Sequence, residues 1–139
     1  MIFLDTSAIY ALADRADARH GEAVAHLDRL LQAGERLVTH NYVLVESLAL
    51  LQHRLGTSSA VKLSESASGF EIIWVDRQLH EEAARRLARA GKRRVSFVDH
   101  VSFLVMKSRG IEKALAFDPN FSAEGFSLVL DCFSASPSR

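Results

Sequence analysis

The chain has 139 residues, 48% of them hydrophobic and 24% charged, with two prolines; this is the composition of one globular domain and excludes disordered, collagen-like and low-complexity classes. Its 17 basic and 17 acidic residues cancel, which argues against a polybasic binder. The single Cys132 excludes an intrachain disulfide framework and a multi-cysteine zinc site.

The apolar runs at residues 2–4, 37–39, 72–75, 114–117 and 126–130 read as strands, separated by longer helical patterns. This alternation predicts βαβ units and a mostly parallel sheet. Asp5, Thr6 and Ser7 follow the first strand, and a helix is expected over residues 8–13. A second covers residues 18–32, with Val24, Leu27, Leu30 and Leu31 at helical spacing and Gly34 as its stop. Residues 41–55 form a helix apolar on nearly every side, which predicts a buried one, closed by Gly56. A weaker, serine-rich helix follows over 57–68, an amphipathic one over 79–90 closed by Gly91, and a last one over 97–108 stopped by Gly110. There is no internal repeat or linker, so residues 1–133 read as a single domain and 134–139 as a frayed tail. No apolar run approaches the roughly 18 residues of a membrane span. The opening MIFLDTSAIYALADR lacks the basic leader of a signal peptide. A cytoplasmic protein, away from membranes, is expected.

Charge is distributed unevenly. Residues 85–113 hold nine basic and two acidic residues, and six of the ten residues from 85 to 94 are basic. Such a run is either a solvated helix face with its exit turn or a phosphate-contacting patch.

Four carboxylates occupy informative places. In an open α/β sheet the site lies beyond the carboxyl ends of the strands. Asp5 follows the first strand directly, and Asp118 follows the run 114–117. Asp5 also serves as a helix cap, and Asp118-Pro119-Asn120 as a turn. The helical neighbours of Glu46 are Tyr42, Val43, Ala49 and Leu50; a charge on a buried helix needs a partner, either an arginine or a metal ion. Asp99 completes the capping box Ser96-Phe97-Val98-Asp99, and a helix N-terminus favours its ionised form. Carboxylates gathered in one pocket raise one another's pKa values, and a hard divalent cation such as Mg²⁺ or Mn²⁺ relieves the repulsion. Such a cation can activate water and stabilise charge on a phosphoryl oxygen, which points to phosphodiester hydrolysis.

At these residues the chain resembles a family. Phe3-Leu4-Asp5-Thr6-Ser7, Glu46 in its helix, Ser96-Phe97-Val98-Asp99 and Phe117-Asp118-Pro119-Asn120-Phe121 are similar to the acidic motifs of PIN-domain ribonucleases, and most similar to the VapC-like toxins of bacterial toxin–antitoxin pairs. The resemblance implies a PIN-like three-layer α/β/α sandwich with a central parallel sheet. It implies that Asp5, Glu46 and Asp99 surround Mg²⁺ or Mn²⁺, with Asp118 as a more variable fourth acid. Thr6 or Ser7 would support the first motif, as Ser96 caps the third. The implied reaction is endonucleolytic cleavage of RNA by a metal-activated water; a cognate antitoxin would block the site, and the toxin would form a homodimer. Two departures stand out: His100 follows Asp99 where the family often has a small residue, and Ala116 stands where a threonine is common. His100 is read as a helix-surface histidine, the alternative being a group supporting the site.

Beside that site Lys92, Arg93 and Arg94 become candidates for RNA phosphate contact. His20, His26, His40, His53 and His80 have no metal spacing and read as surface or second-layer residues. Trp74 is assigned to the core or an interface, Phe121, Phe126 and Phe133 to the C-terminal core or a dimer contact, and Cys132 to apolar filling. Three rival readings compete with this one. A haloacid-dehalogenase-like phosphatase needs an acid where Ser7 stands. A receiver domain would need Asp76 as its phosphoacceptor. A PIN-like module without catalysis would bind RNA or protein alone.

Overall fold

The computed structural model describes residues 1–91 and 94–133. Lys92, Arg93 and the tail 134–139 therefore lie outside the described residues, as do the side chains of Cys132 and Phe133. The chain runs β1 (Ile2–Leu4), α1 (Thr6–Ala13), α2 (His20–Gln32), β2 (Leu37–His40), α3 (Asn41–Leu55), α4 (Thr57–Ser66), a 3₁₀ turn (Ala67–Gly69), β3 (Glu71–Ile73), α5 (Arg77–Arg89), α6 (Phe97–Arg109), β4 (Lys113–Leu115), α7 (Asn120–Ala123), β5 (Ser127–Leu128) and α8 (Val129–Phe133).

The five strands form one sheet in the order β3-β2-β1-β4-β5, with every pair parallel. Phe3 of the central strand lies beside Val38 on one flank and Ala114 on the other. All three residues of β1 are buried. Successive strand residues point to opposite faces, so both faces of the sheet are covered by helices, giving three layers. The chain leaves β1 toward β2 and β3, then returns to the other flank for β4. The strand order therefore reverses between β1 and β4, and a crevice opens at their carboxyl ends.

Aromatic packing anchors the loop after β4. The short α7, which the sequence did not predict, turns Phe121 inward against Phe3 (ring centroids 6.0 Å apart) and edge-on to Phe103 (5.1 Å). Phe126 also packs on Phe103, at 5.8 Å. Phe121 and Phe126 thus close the C-terminal core as expected. Truncation of a buried phenylalanine costs about 3–5 kcal/mol, so the segment carrying Asp118 is firmly seated.

Several expectations need correction. Helix α3 is not buried all round: Val43, Ser47 and Leu51 are buried, at spacings of four, while Glu46 is exposed and Val45 is 62% exposed. One stripe of α3 meets the core and the opposite apolar residues face outward. Trp74 lies just past the end of β3 and is 73% exposed, so it is not a core residue. The expected strand over 126–130 shrinks to Ser127–Leu128 before α8 begins. His26 and His40 are buried, so of the surface and second-layer places read for them the surface one fails.

Candidate active site

The backbone of β1 ends in Asp5, whose N–H donates to the Leu115 carbonyl at 3.2 Å, locking the exits of β1 and β4 together. Asp5 is the N-cap of α1. Its carboxylate accepts from the Ser7 N–H at 3.2 Å and from the Ser7 hydroxyl at 2.7 Å. That same hydroxyl accepts from the Phe117 N–H at 2.9 Å. Ser7 therefore fastens the first acid to the segment leading to the fourth. Burial pushes the Asp5 pKa up, the Ser7 and Thr6 hydrogen bonds pull against it, and the charge of Asp118 adds to the rise.

Asp99 enters from α6. Ser96 is the N-cap, and its hydroxyl accepts from the Asp99 N–H at 3.0 Å, so the capping box forms as read from the sequence. The expectation that the helix N-terminus keeps Asp99 ionised is overturned. Burial, then the charges of Asp5 and Asp118 and a hydrogen bond with Asp118, push its pKa up to about 7. A fixed helix dipole contributes too little to offset buried carboxylates facing one another.

Asp118 does make the turn foreseen for it, and the turn holds it in the site. Its Oδ1 accepts from the Asn120 N–H at 2.9 Å, and the Asn120 side-chain amide donates to the Arg94 carbonyl at 3.0 Å. Asn120, which the sequence marked only as part of a turn, thus joins the basic segment to the fourth acid. Asp5, Glu46, Asp99 and Asp118 line one cavity of about 390 Å³, together with Thr6, Ser7, Arg94, Ser96 and Asn120. Glu46 contributes from the open side. It is not the buried charge that the sequence argument supposed.

The donor set suits a hard divalent cation. Every acid around the cavity offers oxygen, three of them repel one another, and Thr6 Oγ1 is buried without a hydrogen-bond partner among the described residues. As the side chains stand, no three of the described carboxylate or imidazole groups already enclose an ion. A roomier cavity of about 670 Å³ beside α1, α2 and α4 is lined by Ile9, Leu12, Leu27, Leu63 and Phe70 and carries no carboxylate, so size does not mark the chemistry.

The residues named for rival readings lie elsewhere. Asp76 caps α5, accepting from the Leu79 N–H at 2.8 Å, and does not line the acidic cavity. His100 is only 4% exposed and is not a surface residue: it lines a cavity other than the one Asp99 lines.

The sequence matches the PIN domain family over residues 2–126. The 23S rRNA-specific endonuclease VapC20 of Mycobacterium tuberculosis (strain ATCC 25618 / H37Rv) is 42% identical over 129 residues, covering 91% of this chain and 95% of that protein. The crystal structure of M. tuberculosis VapC20, a sarcin-ricin loop cleaving toxin, matches with a TM-score of 0.80 at 40% identity over 91% of this chain and 96% of that one. PAE2754 from Pyrobaculum aerophilum shares the fold, with a TM-score of 0.64 at 24% identity over 97% and 96% of the two chains. A parallel sheet with an acidic crevice at its switch point, matched over nearly its whole length, makes this chain a member of the PIN domain family.

Proposed function

We propose that the chain is a metal-dependent endoribonuclease and the toxin of a toxin–antitoxin pair. The observation that carries this reading is the gathering of Asp5, Glu46, Asp99 and Asp118 around one cavity, where burial and the charges of Asp5 and Asp118 push the Asp99 carboxyl up to about 7. Such a cluster is unfavourable by itself and is relieved by a cation. Asp5, Glu46, Asp99 and Asp118 would hold Mg²⁺ or Mn²⁺, which accept the same oxygen ligands. When bound, the ion supplies a more acidic water and a counter-charge for a phosphoryl oxygen.

The chain's own residues do the positioning. Ser7 fixes the Asp5 carboxylate, Ser96 fixes the start of α6 and hence Asp99, and Asn120 fixes Asp118 against Arg94. The Thr6 hydroxyl is left to donate to a bound oxygen. Arg94 lines the cavity and contributes a cation for a phosphate of the strand. The likeness to VapC20 supports a folded ribosomal RNA loop as substrate and a cognate antitoxin as partner. The homodimer that the family resemblance implies belongs to the same reading. No helix among the described residues is long and apolar enough to cross a membrane, and a ribosomal substrate would support a cytoplasmic setting.

The test is cleavage of a total-RNA pool by the purified chain in Mg²⁺ and in Mn²⁺, beside EDTA and Asp99→Asn. Discrete fragments that vanish in both controls are expected, and fragments ending in 23S rRNA would name the substrate. A binding module without catalysis is the second reading, favoured by the fact that the described acids do not yet enclose an ion. Metal binding by calorimetry with no cleavage of any RNA would establish it.

A further inference from the structure

A second polar cavity, of about 250 Å³, is lined by Arg86 and Arg89 of α5, His100 of α6, Val95 and Glu124. It adjoins the acidic cavity through three sets of neighbours. Asp99 lines the one and His100 the other. Arg94 and Ser96 line the acidic cavity, while Val95 between them lines this one. Asn120 lines the acidic cavity and Glu124, about one helical turn on, lines this one.

Its polar groups are not satisfied among themselves. Both ring nitrogens of His100 are buried without a hydrogen-bond partner among the described residues, a state that folded proteins avoid. Arg89 makes no ion pair among the described residues, and its Nε donates only to the Arg85 carbonyl at 3.3 Å. Glu124 is already shared by Arg86 and by Lys107, the latter at 2.9 Å. Glu124 therefore holds Arg86 in place without cancelling the cavity's charge: two arginines and one carboxylate line it, and that carboxylate also serves Lys107. A ligand that answers an unpaired guanidinium and an unpaired imidazole N–H together is an anion with several acceptor oxygens. The planar arginine fork fits a phosphate.

We propose that this cavity is a phosphate-binding site that takes a backbone phosphate of the RNA strand beside the cleavage site, held by Arg86, Arg89 and His100. The identity of the strand rests on the nuclease reading; the phosphate chemistry rests on the cavity. Occupation here fixes how the strand enters the acidic cavity, because residues 94–96 and the first turn of α6 alternate between the linings of the two.

The experiment has two arms. Inorganic phosphate is titrated into the metal-free chain while the imidazole nitrogens are followed by NMR, with the His100 signals identified by their loss in His100→Phe. The same proteins are then assayed for RNA cleavage over a range of salt. The His100 signals are expected to shift saturably, and the shift to weaken strongly in Arg89→Gln. Both Arg89→Gln and His100→Phe are expected to raise KM for RNA about tenfold, well beyond any change in kcat. Arg89→Gln should also reduce the salt slope by about 0.7–0.9. Lys113→Gln, at the amino end of β4, should change neither. His100→Phe keeps the ring volume and removes the unpartnered nitrogens, so a purely structural histidine would raise or hold Tm and leave KM alone.

A saturable shift with unchanged KM in both variants would mark a site for free phosphate and overturn the RNA assignment. Displacement of phosphate by an acidic peptide but not by RNA would overturn it too. No shift and no change in KM would remove the site while leaving the nuclease intact. A chain that shifts with phosphate and cleaves no RNA would fail the nuclease reading and keep the phosphate site.

Discussion

Ser7 donates its hydroxyl to the Asp5 carboxylate at 2.7 Å while accepting the Phe117 N–H at 2.9 Å. One side chain thus sets the distance between the exits of β1 and β4, and between the first and fourth acids. Ser7→Ala leaves the Phe117 N–H without its acceptor and frees the Asp5 carboxylate. A loss of about 1–3 kcal/mol is expected in urea unfolding, with a larger proportional fall in cleavage, because Asp5 loses its orientation. Stability unchanged within 0.5 kcal/mol would show that the bridge is replaced by water.

Asp99 is a stability liability at neutral pH. Its pKa, pushed up to about 7 from 3.8, means that the folded chain holds a proton which the unfolded chain has already released. The contribution is fully present below about pH 4 and is lost as pH rises through about 7. Asp99→Asn removes that dependence. In EDTA the variant should match the wild type near pH 4 and exceed it at pH 8 by about 2 kcal/mol, after discounting for the partial solvation of the group. Mg²⁺ or Mn²⁺ should raise the wild-type Tm at pH 8 and leave the variant nearly unmoved. A variant less stable than wild type at both pH values would refute the account.

His40 carries the opposite sign. Its Nδ1 accepts from the Val43 N–H at 3.3 Å as the N-cap of α3, so Nε2 bears the proton and donates to the Ser102 hydroxyl at 2.8 Å. Burial holds the pKa down at about 3. The neutral ring is therefore favoured by folding, and stability present above about pH 6.5 is lost as pH falls toward 3. About 2–3 kcal/mol should disappear between pH 6.5 and 4. His40→Asn retains a capping oxygen and should flatten this limb of the pH profile. Equal acid sensitivity in wild type and variant would place the effect elsewhere.

How much was legible in the sequence differs residue by residue. Asp5, Asp99 and Asp118 were readable because each sits where a local signal ends: the strand exit, the capping box and the Asp-Pro-Asn turn. Their caps and turns are real, and the same hydrogen bonds aim the acids. Glu46 reached the site by a wrong argument. Apolar content around the whole of α3 suggested burial, but only the Val43, Ser47 and Leu51 stripe meets the core. Composition counts apolar residues and cannot say which neighbour covers them. Of the two places read for Trp74, the core one fails because a four-residue apolar run gives no sign of where pairing stops, and β3 ends one residue before it. The buried His100 had no signal beyond its difference from the family, since its surroundings are assembled from α5, α6 and Glu124, which lie far apart in sequence.

Thr6 tests whether the crevice is built for a ligand or for the fold. Its Oγ1 is buried and unpartnered among the described residues, although the residue lines the acidic cavity. Thr6→Val replaces the hydroxyl with a methyl of similar size. A fold that merely tolerates the hydroxyl gains by losing it, since an unsatisfied buried polar group costs about 1–3 kcal/mol. Thermal melts in EDTA should therefore show the variant at least as stable as the wild type. If the hydroxyl donates to a bound oxygen in the reaction, cleavage should fall about 10-fold or more in that same, more stable protein. Undiminished cleavage with raised Tm would assign Thr6 to the packing of α1 alone; reduced cleavage with raised Tm would show stability given up for the site.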